Sequence, residues 1–153
     1  MKKFLVLALV AMISATGFSK TIDEVFKAFP QADNVQEMTF DKAMLSMAMS
    51  MGADQSKTKS MKDLDAIRLI SIEEPTSEQI NIAREIMKDG VDGFDVLIDS
   101  SEDGEDALIL TQGDGNTINR MLIIAVEEDN VAIVMLEGKI DPKDTDKMVN
   151  FGK

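Results

Sequence analysis

The sequence predicts an α+β fold: a mixed sheet containing a C-terminal four-stranded antiparallel meander, with helices mainly on one face. Three observations predict it. Short amphipathic stretches at helical spacing occupy the first half of the chain, the hydrophobic period changes to two from Phe94 onward, and acidic or Gly-rich turns separate the later apolar runs. With 153 residues, 44% of them hydrophobic, the chain holds enough apolar material for one core without Cys or a structural metal.

The N-terminus opens with Met1-Lys2-Lys3 and the apolar run Phe4–Ile13, followed by the mostly small residues Ser14 to Ser19. This is the pattern of a signal peptide over residues 1–19, cleaved after Ser19, which leaves 20–153 as a single α+β domain. The apolar run is shorter than the roughly 20 residues a spanning helix needs, and no second hydrophobic span follows. The expectation is therefore an exported protein, periplasmic or extracellular, with no membrane span. With no Cys near the end of the signal, no lipid anchor is expected by the lipoprotein route.

Ile22, Val25, Phe26 and Phe29 lie at helical spacing, and Pro30 with the polar stretch to Asn34 ends that helix. Val35–Phe40 follows as a strand, and Asp41 stands where an N-cap would open a helix over Ala43–Ala53. Gly52–Asp63 is polar, basic and Ser/Thr-rich, as a loop would be. Ala66–Ile72 carries apolar residues at both alternating positions, which suits a strand covered in part on both faces. Thr76 or Ser77 can cap the next helix, with Gln79 three after Thr76 in the capping-box arrangement, before Ile80, Ala83, Ile86 and Met87, and Gly90 stops that helix. Phe94–Ile98, Ala107–Thr111, Thr117–Val126 and Val131–Leu136 then form the meander, joined by Ser100–Glu105, Gly113–Asn116 and Glu127–Asn130. Asp141 and Pro142 are placed as N-cap and first residue of a closing helix.

Composition removes a large share of enzyme chemistry. There is no His, Cys, Trp or Tyr, hence no imidazole base, thiol nucleophile, Cys/His zinc centre or Ser-His-Asp triad. The whole chain carries a formal charge of −12, and −14 without Lys2 and Lys3. A chain this acidic is repelled by nucleic acid and by anionic lipid.

The remaining constellations are few. Met44, Met47, Met49 and Met51, with Met38 upstream, raise the question of Cu(I), which thioethers bind. On a helix, Met49 points away from the face shared by Met44, Met47 and Met51, so packing by an adaptable residue is the plainer reading. Asp99-Ser100-Ser101-Glu102-Asp103-Gly104 resembles the front half of a calcium loop, but Leu110 stands where the bidentate Glu belongs and the flanks read as strands. A cation site would have to be completed by Glu105 and Asp106, so Asp99, Asp103, Glu105 and Asp106 are the candidate metal ligands. The Gly113–Asn116 turn lacks the Lys-Ser/Thr of a phosphate loop. Arg68 and Arg120 sit inside strands, as ion-pair partners or anion contacts.

The Met/Leu-rich helix around Met44-Leu45-Ser46-Met47, the strand Ile67-Arg68-Leu69-Ile70, the pair Met121–Val126 and Val131–Leu136, and the step Gly138-Lys139-Ile140-Asp141 resemble the exported Bacteroidetes family of unknown function DUF4252. The resemblance implies an exported α+β domain with no established activity. Some relatives look like lipoproteins, from which this chain departs in lacking the Cys. The expectation that follows is a non-catalytic acidic domain, without cofactor, that binds a protein or cell-envelope component. The alternative is a divalent-cation (calcium) binding or sensing domain using the 99–106 segment.

Overall fold

A computed structural model describes residues 20–51, 63–114 and 116–141. The expected signal peptide, most of the 52–63 loop and the closing helix after Asp141 lie outside the described residues. Local chemistry sets the helices. The Thr21 hydroxyl accepts from the Glu24 amide at 3.3 Å and the Glu24 carboxylate accepts from the Thr21 amide, opening α1 (Ile22–Lys27). Asp41, the last residue of β1 (Val35–Asp41), accepts from the Met44 amide at 2.8 Å and starts α2 (Lys42–Ser50). After β2 (Leu64–Glu73), Thr76 and Gln79 form the second capping box and open α3 (Ser77–Asp89), which Gly90 ends at φ 77°. The meander follows as β3 (Asp95–Glu102), β4 (Glu105–Asp114), β5 (Thr117–Val126) and β6 (Asn130–Ile140).

The six strands form one open sheet in the order β1-β2-β6-β5-β4-β3. Every pairing in it is antiparallel, which corrects the expected mixed sheet. The reason is the path of the α3 connection. A parallel pair arises when a crossover joins neighbouring strands, whereas α3 carries the chain from β2 to the far edge. The meander then returns strand by strand until β6 meets β2 antiparallel. A single parallel bridge, Lys20 to Val91, lies outside the strands.

Register divides the sheet into two faces. One carries the rows Glu37–Ile70–Ile133–Ile124–Leu108–Asp99 and Thr39–Arg68–Met135–Leu122–Leu110–Val96. Against it pack Val25, Phe26 and Phe29 around α1 and Ala83 and Ile86 of α3, all buried. The opposite face carries Met38–Leu69–Val134–Ile123–Ile109–Ile98 and a flat row of small residues, Ser71–Ala132–Ala125–Ala107–Ser100. There α2 rests through Leu45 near Leu64, Met121 and Leu136. So α1 and α3 share one face while α2 lies on the other. Among the described residues no helix is long and apolar enough to cross a membrane.

Candidate functional site

The acidic segment is built differently from a calcium loop. The expected connection Ser100–Glu105 shrinks to the two-residue turn Asp103-Gly104, with φ of 54° and 81°, the backbone that Asp-Gly hairpins favour. Asp99 therefore belongs to a strand, opposite Leu108. Asp106 is half-buried and engaged by Arg84 Nε at 3.4 Å and by the Ser101 hydroxyl, which donates to it. Asp103 and Glu105 line an open cleft of about 490 Å³ against Glu127, Glu128 and Asp129 of the next hairpin turn. The four candidate ligands thus spread over a strand, a turn and an ion pair. Among the described residues no three carboxylates are placed to hold one metal ion.

The topology collects charge at this end of the sheet. Asp33 before β1, Glu73 at the end of β2 with Glu74 after it, and the turns at Glu102–Glu105 and Glu127–Asp129 all lie there, because antiparallel order brings alternate strand ends together. Asn34 and Gln79 fasten this rim to α3. The Asn34 amide donates to Gln79 Oε1 at 2.8 Å, and the Gln79 amide donates back to Asn34 Oδ1 at 3.2 Å. These residues are 45 positions apart, so no local spacing signals the pair; the capping box was the only trace of Gln79 in the sequence.

The strongest surface feature is β3. It is an edge strand, paired among the described residues only with β4, and it exposes three consecutive apolar side chains: Val96 at 59%, Leu97 at 46% and Ile98 at 39%. A bulge causes this arrangement. Val96 lies opposite Leu110 and Ile98 opposite Ile109, so Leu97 is the extra residue and the alternation of faces is broken at it. Val96 then shares the face of α3, and Ile98 the opposite one. The other edge, β1, exposes Met38 but carries no such run.

Met44 and Met47 of α2 and its C-cap Met51 are not core residues, contrary to the packing expected of them. Met44, Met47 and Met51 stand exposed, while Leu45 enters the core. Among the described residues the buried methionines are Met121 and Met135. The arginines are structural: Arg68 lies 4.2 Å above the Phe26 ring and pairs with Glu37 at 3.1 Å, and Arg120 pairs with Glu137 at 3.5 Å.

No curated protein and no solved structure matches the chain. A family model described as a domain of unknown function, DUF4252, matches residues 26–148, from within α1 to beyond β6. Covering well over half of the 153 residues, that match assigns the chain to the DUF4252 family.

Proposed function

We propose that this is an exported, non-catalytic domain that binds a protein or cell-envelope component along the β3 edge of its sheet. The observation that carries the reading is the exposed run Val96-Leu97-Ile98 on a strand whose outer side is unpaired among the described residues. An edge strand offers a row of free backbone donors and acceptors, and an extended segment added to it gains main-chain hydrogen bonds as well as apolar contact. The composition supports the non-catalytic part, because the imidazole base and the thiol nucleophile are missing from the sequence.

A photo-crosslinking side chain placed at Leu97 in the native cell tests the reading against the same group at Glu85, exposed on α3. A discrete adduct from position 97 alone is expected. Equal labelling from both positions, or none, would overturn the reading. Export is tested on the same cells, where the mature chain should begin near Lys20 and fractionate outside the cytoplasm.

A further inference from the structure

The chemistry of the β3 edge narrows what it receives, and this step rests on the proposed binding role of that edge. Residues 89–106 contain eight Asp or Glu and no Lys or Arg. On β3 itself, Asp95, Asp99 and Glu102 are exposed. Register puts Asp99 on the helix-bearing face with Leu108, and Asp95 and Glu102 on the opposite face with Thr111 and Glu105. Carboxylates therefore flank the apolar trio above and below the plane of the sheet. A second copy of the chain is a poor occupant. Pairing β3 with β3 would bring those carboxylates together from both strands without one base, and β1 offers Glu37 and Asp41 instead. Like charges directly opposite on paired strands destabilise, whereas opposite charges contribute favourably. Bulges and charges are also the devices by which edges resist pairing with their own kind.

We infer that β3 accepts a basic, extended segment of a partner protein, one in which Lys or Arg alternates with aliphatic side chains. Such a strand carries its bases on one face and its aliphatic groups on the other, so with the bases beside Asp95 and Glu102 its aliphatic groups cover Val96 on the α3 face. The regular stretch Asp99–Glu102 supplies the ladder, and the bulge at Leu97 limits its length at the other end.

The test uses the purified protein and three eight-residue probes: alternating Lys and Val, alternating Glu and Val, and a Lys-rich peptide broken by Gly and Pro. Binding is read by fluorescence anisotropy and β3 protection by amide exchange. The Lys/Val probe is expected to bind, to protect β3, and to weaken by about tenfold or more when NaCl rises from 50 to 500 mM. Asp95→Asn with Asp99→Asn and Glu102→Gln should weaken it comparably, with the melting temperature of the variant confirming that it folds. Ser101→Pro, inside the Asp99–Glu102 ladder, should remove protection of β3 while leaving the charges in place, its melting temperature again confirming that it folds.

Equal binding of the Glu/Val probe overturns the basic character and leaves edge binding standing. Equal binding of the Gly/Pro-broken probe, or binding indifferent to Ser101→Pro, overturns strand addition. A dimer of the protein with β3 protected makes the occupant a second copy and overturns the inference. If no probe protects β3, the inference fails, and the Leu97 crosslink decides separately whether the binding role fails with it.

Discussion

Gly138 is a position where a single methyl group should do much harm. Its φ is +148°, a region that side-chain-bearing residues rarely adopt, and a Cβ built there would meet Asp63 O at 2.5 Å, Leu64 Cα at 2.7 Å and Asp65 N at 2.8 Å. All three contacts are backbone. They occur where β2 is irregular between Leu64 and Ala66, next to the hydrogen bond from the Lys139 amide to Asp63 O at 2.9 Å. Relief by a side-chain rotation is therefore closed, and either β2 or β6 must shift. Backbone strain contributes about 1–3 kcal/mol and forced displacement a similar amount, so Gly138→Ala should cost roughly 2–6 kcal/mol. Typical domains have only about 5–15 kcal/mol to lose. Gly104→Ala isolates the first effect, since its φ is +81° but nothing lies within 4 Å of the added Cβ; about 1 kcal/mol is expected there. Urea unfolding at constant slope measures both, with a midpoint drop of roughly 1–3 M for Gly138→Ala. If Gly138→Ala proves no more costly than Gly104→Ala, the close approach of the two backbones is not what requires glycine.

Two further outcomes follow from burial. Ile124 is 0% exposed between Ile133 and Leu108 on the helix-bearing face, so Ile124→Ala should lower stability by about 2–5 kcal/mol, whereas Ile98→Ala at the edge should cost less than about 1 kcal/mol, both read by thermal unfolding. Under dilute hydrogen peroxide, which transfers one oxygen to a thioether sulfur and leaves water, among the methionines of described burial Met47 (65% exposed) and Met51 (81%) should become sulfoxides first and Met121 (0%) last. Peptide mass spectrometry at timed intervals gives the order, and early oxidation of Met121 would contradict its burial.

What was legible in the sequence is what short-range chemistry decides. Asp41 and Thr76 each cap the helix their spacing announces, and the meander follows from turn residues and a period of two; the Thr21 cap of α1 was not read from the sequence. The polar tail of β3 was hidden for a physical reason. Asp99-Ser100-Ser101-Glu102 has the composition of a loop, yet at an uncovered edge both faces of a strand tolerate polar side chains, so hydrophobic alternation is not required. That concealment also misplaced the candidate ligands, because Asp99 was counted into a loop it does not join. The α2 methionines misled differently. Helical spacing groups Met44, Met47 and Met51 on one face but is silent on whether that face meets the sheet, and Leu45 does so instead. The strand order, the Asn34–Gln79 pair and the stacking of Arg68 on Phe26 depend on partners tens of residues away, which no window of the sequence contains.

The acidic end offers a last test that separates charge from coordination. Carboxylates gathered around Asp103, Glu105, Glu127, Glu128 and Asp129 repel one another, so any salt that shortens the range of that repulsion stabilises the fold; the Debye length is about 8 Å at physiological ionic strength. Coordination demands more than charge. Calcium takes six to eight oxygens at roughly 2.3–2.6 Å, whereas Asp99 lies in a strand and Asp106 is held by Arg84 and Ser101. Ca²⁺ and Mg²⁺ at matched ionic strength should therefore raise the melting temperature equally, and Asp99→Asn with Asp103→Asn should not change the difference between them. Ligand at about 100 times its dissociation constant adds roughly 2.7 kcal/mol, a shift of several degrees for a domain of this size. A calcium-specific rise of that order, lost in the double variant, would mean that the turn rearranges to gather its acids, and the cation reading would then replace screening as the account of this end of the sheet.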